Sequence, residues 1–322
     1  MSILKTKLPA ILTCLCLLFS TTFTTKAKAT SEANSIYQNA KTQLPPDFYA
    51  LYRIVDRLAR ANEYDTRPWQ VVRVAKYDTQ AFAKNANLIP IYNGAFEQLG
   101  GDASALACMI SHEMAHHKQR HQVITNVEKA ELIAQFREEA AEKVLNRSRK
   151  TSAVSAVGDF VVRRVIGGTI GTVVNGVLDN RNDRRFRKQQ RRINEIVEKK
   201  TAELEENLEK QSREDEFEAD KVAYLASVKA GFDKQGCLRA MSVLNRTAGV
   251  TFDRNHPTIK ERIAALKAVM EYPAESLIEE GKEKLFQTQP LTYNLSPNQT
   301  SLRVNSRHGA SVGDDIDRMF GS

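Results

Sequence analysis

Four of the chain's six histidines fall within SHEMAHHKQRH, residues 111 to 121, and Glu113 directly follows the first of them. That spacing predicts a helix. Residues four apart on a helix are rotated by only about 40° and separated by about 6 Å, so His112 and His116 leave one face and aim both imidazoles at one point. The flanking residues agree. Asp102, behind Gly100 and Gly101, is a good N-cap, and residues 103 to 121 continue as one helix with Leu106, Met109 and Ile110 on its apolar side. The histidines therefore ride on a largely buried helix, and the fold has to be built around it.

Glu113 lies about 100° round from His112, near enough to reach a water at the histidines without displacing either ring. This is the HExxH geometry of a zinc hydrolase, in which three protein ligands hold the metal and one position stays open. The third ligand must come from elsewhere. The longer pattern HExxHxxGxxH needs glycine at 119 and histidine at 122, where the chain has Gln119 and Gln122. His121 falls one residue short and is expected to point off the metal face, and His117 is rotated away, so both read as outer or surface histidines. A better source is SREDEFEAD, residues 212 to 220, where Glu216 and Asp220 again stand four apart on one helical face. A ligand carboxylate with a second one a turn on, fixing the tautomer of a ligand histidine, completes a His/His/Glu site. Taken alone, the same run of acids also describes a solvated face.

Around these two segments the chain reads as mainly α with a small sheet. Residues 31 to 62 have helical spacing interrupted by Pro45 and Pro46, Trp69 to Val74 alternate as a strand, and Leu88 to Tyr92 form a second. Pro90 cannot donate to a ladder, which places that second strand at a sheet edge. From about 125 to 211 the character changes to a charged helical insertion. It holds a Gly/Val-rich stretch (153 to 178), a basic run, and a helix with Ile193, Val197, Leu204 and Leu208 in near-heptad positions. Residues 212–230, 233–246 and 257–271 read as helices. The tail from about 287 is rich in Asn, Ser, Thr and Gln without periodicity and is expected to be mostly disordered.

At the N-terminus, Lys5 and Lys7 precede an uncharged stretch that ends before Ala27-Lys28-Ala29, so residues 1–29 read as a cleaved secretion signal, with an uncleaved anchor as the competing reading. Its removal takes Lys5, Lys7, Lys26 and Lys28 away and lowers the formal charge from +8 to +4. So mild a charge gives no case for nucleic acid. Cys108 and Cys237 then remain, either as one bridge or as two separately buried thiols.

PWQVVRVAKYDTQAFA, IYNGAFEQL, ALACMISHEMAHH, SREDEFEADKVAY, the turn GFDKQG and HPTIKERIAAL occur in an order that resembles zinc metallopeptidases of the CAAX-prenyl-protease and HtpX type, and within them the periplasmic BepA-like and LoiP-like members. The resemblance covers roughly residues 45–125 and 205–272. It implies a gluzincin-type domain over 30–286, with the insertion at about 125–211 and one Zn2+ per chain. It also implies His112, His116 and Glu216 as ligands, Glu113 as general base and Asp220 as the supporting carboxylate. The strand at 88–92 would bind an extended peptide by strand addition. One departure is the stretch Lys84-Asn85-Ala86-Asn87, where the family usually carries a glycine-containing turn.

His256 is open to two readings: a group near the metal, as oxyanion donor or latch, or a histidine at the start of a helix before Pro257. The stretch 156–178 is too interrupted by Asp159, Arg163 and Arg164 to span a bilayer, and either lies against one peripherally or forms a core helix pair. The main functional expectation is a periplasmic zinc endopeptidase that degrades misfolded or misassembled envelope proteins. The competing one is a chaperone-like or assembly factor with a latent zinc site.

Overall fold

Pro46 opens the first long helix because a proline at the first helical position gives up an N–H that has no partner there. The computed structural model describes residues 34–74, 87–121, 124–149, 180–246 and 256–321. The stretch read as a secretion signal (1–29) and the Gly/Val-rich stretch lie outside them. A short helix α1 (34–43) precedes α2 (Pro46–Ala61), which buries Phe48, Leu51, Tyr52, Val55, Leu58 and Ala59 at the spacing of one helical face. Strand β1 (Trp69–Val74) follows, then β2 (Leu88–Tyr92), α3 (Asn93–Gln98), α4 (Ala103–Gln119), α5 (Asn126–Arg149), α6 (Asn180–Lys229), α7 (Gly236–Leu244), α8 (Ile259–Met270) and α9 (Glu275–Gln287). Strands β3 (Tyr293–Leu295) and β4 (Ser301–Val304) and helix α10 (Val312–Phe320) complete the chain. It is a mainly helical protein with a small mixed sheet, as the sequence predicts.

The sheet runs in the order β2-β1-β4-β3, with β1 parallel to β2 and antiparallel to β4. Strand β2 is an edge, in agreement with Pro90, which sits opposite Val72. Asn87 introduces it with φ 62°. Asparagine tolerates this left-handed backbone better than most residues. Here its side chain also donates to the carbonyl of Pro68 at 3.1 Å, and its own carbonyl accepts from the amide of Gln70 at 2.9 Å. Asn87 thus performs locally what a glycine turn does elsewhere.

The tail corrects the expectation of disorder. Strand β4 is the inner partner of β1, with Leu302 and Val304 fully buried. Short strands of three or four residues have too few positions to display a period, so composition alone misleads here. A buried network also clamps the tail to α2. Asp56 accepts from the amide of Leu291 at 2.8 Å and from the Tyr37 hydroxyl at 2.7 Å, and pairs with Arg60 at 3.2 Å. Arg60 donates onward to the carbonyls of Leu285 and Thr288, both at 2.6 Å. Burial pushes the Asp56 carboxyl upward, and Arg60 with the other donors opposes that shift. Every oxygen of this buried carboxylate has a partner, as a charge out of water requires.

The chain divides into two compact units, one of them Gln122–Glu216 with Phe252–Pro257 and the other the remainder. Within the smaller unit α5 and α6 run antiparallel: Lys129 pairs with Glu205, Lys200 with Glu139, and Ala140 and Ala141 pack on Ile193 and Val197. The buried pair Ile193 and Val197 is the start of the near-heptad series, while Leu204 and Leu208 are half-buried. The sequence divided α6 into separate helices near residue 212, but it is one element, because nothing between Gln211 and Arg213 caps or breaks it. Among the described residues, no helix is long and apolar enough to cross a membrane.

Candidate metal centre

Helix α4 is split lengthwise by burial. Ile110, Ser111, Met114 and Ala115 are buried on one arc, and Met109, His112, Glu113, His116 and His117 occupy the other, half-buried. Met109 borders the histidine arc and still packs against the core. The buried arc fixes the helix. Ser111 meets Ser227 of α6 through their hydroxyls at 3.0 Å, and Asp102 caps the first turn by accepting from the amide of Ala105 at 3.0 Å. At the other face of the turn, Gly236 brings α7 so close that a Cβ there would stand 2.6 Å from the carbonyl oxygen of Ser104. Beside this approach Cys108 and Cys237 form a disulfide with their Cα atoms 5.1 Å apart, which settles the open choice between a bridge and two thiols.

On the half-buried arc the Nε2 atoms of His112 and His116 face each other at 3.0 Å. Two nitrogen ligands on one tetrahedral zinc stand about 3.3 Å apart, so the rings are nearly in position for one ion. Glu216, one turn ahead of Asp220 on α6, completes the set: each of the three residues offers a ligand atom, all within 4.8 Å of one another. Among the described residues this is the one group of His, Cys, Asp and Glu that meets such a test.

The atoms behind the ligands fit the same role. His112 Nδ1 lies 3.0 Å from Asp220 Oδ1. A carboxylate only accepts, so the His112 proton sits on Nδ1 and the Nε2 lone pair is free to ligate. Asp220 is held in turn by Arg262, whose Nε and Nη2 donate to its two oxygens at 2.7 and 2.6 Å. Burial acts to raise the Asp220 carboxyl, but Arg262 and His112 outweigh it and hold it down at about 2. His116 is pushed the other way to the same effect: burial, then its histidine neighbours, lower it to about 2 and keep it neutral, which is the form that binds metal.

The remaining expectations divide. His117 points away from this centre and meets the carbonyl oxygen of Leu88 at 2.6 Å, tying α4 to the start of the edge strand. Glu113 is half-buried directly after His112. His256 precedes α8, whose cap is Thr258 in a reciprocal box with Glu261, so His256 is not the residue that starts that helix. Its Nε2 lies 3.9 Å from Glu216 Oε1, and its carbonyl accepts from Arg213 at 3.2 Å. His121 is off the metal face, as expected, and stands behind His116, its ring meeting the far nitrogen of that imidazole. Arg262 was missed by sequence reasoning, because an arginine inside HPTIKERI reads as an ordinary exposed position.

The model of Peptidase family M48 matches residues 45–270 of the chain. Comparison with curated proteins and with solved structures gives no match.

Proposed function

The chain belongs to peptidase family M48, a metallopeptidase family, and from that premise we propose that it is a zinc endopeptidase of the cell envelope, of the periplasmic BepA-like and LoiP-like kind. The observation that carries the reading is the convergence of His112, His116 and Glu216, with the proton of His112 directed by Asp220 away from the ligating nitrogen. Two imidazoles and one carboxylate suit zinc better than the hard, all-oxygen cations. An ion held there supplies Lewis acidity, which makes water acidic near neutral pH and polarises a carbonyl.

The chain's own residues supply the rest. Glu113 takes a proton from the attacking water and returns it to the departing amine. The strand β2, an edge of the sheet among the described residues, would take an extended peptide by strand addition, and a site that reads backbone suits unfolded or misassembled proteins of varied sequence. The Cys108–Cys237 bridge is in keeping with an oxidising compartment and hence with the secretion signal read at 1–29.

The test is cleavage of an unfolded protein such as casein by the chain from residue 30 onward, with metal content measured on the same sample. Turnover that a chelator abolishes and zinc restores supports the peptidase. Bound zinc with no turnover under any condition would favour the binding-protein reading.

His256 provides a second expected result. On this reading His256, whose Nε2 lies 3.9 Å from Glu216, donates to the carbonyl oxygen as charge develops there, so His256→Phe should lower kcat by about 100-fold and leave KM nearly unchanged. Raised activity in that variant would mean that His256 is a latch instead.

A further inference from the structure

His116 has a support of its own, on the far side of the ring from the metal. Helix α4 ends at Gln119, and Arg120 turns into the left-handed region with φ 59°. The chain therefore folds back, the amide of His121 donates to the carbonyl of His116 at 3.0 Å, and its Nδ1 comes to 2.9 Å from His116 Nδ1. The His121 side chain is only 7% exposed. Its Nε2 lies 3.3 Å from Glu218 Oε2, and the other oxygen of Glu218 accepts from Gln119 at 3.0 Å. We propose that His121 and Glu218 form a hydrogen-bonded relay that fixes His116 as its Nδ1-protonated tautomer, and that both are positioning residues for metal binding. The proposal rests on reading His112, His116 and Glu216 as ligands.

With both imidazoles neutral, two proton arrangements satisfy the contact between His116 and His121. In the first, His116 Nδ1–H donates to His121, and His121 Nε2–H donates to Glu218. The Nε2 lone pairs of His112 and His116 then face one point at 3.0 Å, an arrangement that a cation relieves. In the second, His121 donates to His116 and turns an unprotonated nitrogen toward a carboxylate, two acceptors in contact. It also puts the His116 proton on Nε2, where it bonds to His112 and must leave before a metal can enter. Glu218 selects the first arrangement. Asp220 does the same for His112, so each ligand histidine has its own carboxylate on α6, directly for one and through a second imidazole for the other.

The experiment is zinc affinity, measured by competition with a chromophoric chelator, for the unsubstituted protein, His121→Leu, His121→Asn and Glu218→Ala. The position of the His116 proton is read in parallel from the nitrogen-15 spectrum of the metal-free forms. His121→Leu should bind zinc about 10- to 100-fold more weakly and Glu218→Ala about tenfold more weakly. His121→Asn, which keeps an acceptor for His116, should recover most of the loss. Zinc affinity of His121→Leu within twofold of the unsubstituted protein overturns the relay. So does an Asn variant as weak as Leu, which would make His121 a packing residue. If His121→Leu does not fold, Glu218→Ala decides, because that side chain is half exposed and its loss leaves no cavity. Failure of the unsubstituted protein itself to bind zinc would overturn the metal reading and the relay with it.

Discussion

Glu113→Gln is expected to retain its zinc and lose hydrolysis by about 10³-fold, a loss of about 4 kcal/mol in transition-state stabilisation. The residue stands on the half-buried arc of α4, directly after His112, and is not among the three that converge as ligands. Glutamine keeps the size and most of the hydrogen-bonding capacity of the side chain. What it cannot do is accept a proton from water and hand it on. The two quantities must be read on one preparation: metal by atomic emission, and kcat/KM on an unfolded protein or peptide. A variant that keeps activity within tenfold removes Glu113 as the base. A variant that loses metal would make Glu113 part of the binding set, and the division of labour argued above would fail.

How much of this centre was readable depended on whether a residue acts through helical periodicity. His112 and His116, and again Glu216 and Asp220, are four apart on helices, and helix geometry alone pairs them. Arg262 lies on a third helix and reaches Asp220 across 42 residues of sequence, a relation that no local pattern encodes. Glu218 stands about 200° round α6 from Glu216 and so counts as the opposite face. It joins the centre only because His121 leaves helix α4 to meet it. What was misread is the helix end, two residues before His121: an arginine at a left-handed position is uncommon, and no residue there marks a stop.

The fold was legible where segments are long and misread where they are short. Helix α2, the strand β1 and the edge position of β2 follow from spacing and from Pro90. The tail enters the sheet through strands of only three and four residues, and what holds it is the buried Asp56 and Arg60, more than 220 positions earlier. Its polar composition was read as disorder. In the structure part of it is partner-matching: Asn305, almost fully buried, donates to Thr292 and Asn294 at 2.9 Å.

Replacing Cys108 and Cys237 together by alanine should lower stability by about 5 kcal/mol at 25 °C, because the bridge closes a loop of 129 residues in the unfolded chain. For a chain of this size that corresponds to a fall of about 8 °C in Tm. Structure persisting in the unfolded chain, the α5–α6 pair above all, would reduce the figure, since a loop that is already partly closed has less entropy to lose. The metal centre should change far less than the stability. Helix α4 keeps its cap at Asp102, the Arg239 contacts to that aspartate at 2.5 and 3.1 Å, and the Ser111–Ser227 bond, so at 25 °C the double variant should bind zinc as the unsubstituted protein does. Denaturant unfolding with and without reductant checks the first claim, and chelator competition checks the second. A loss of stability below 1 kcal/mol would show that the bridge closes no significant loop. Weakened zinc binding in a folded double variant would show that Cys108 does more than hold α4 to α7, and that the histidine arc depends on its covalent link.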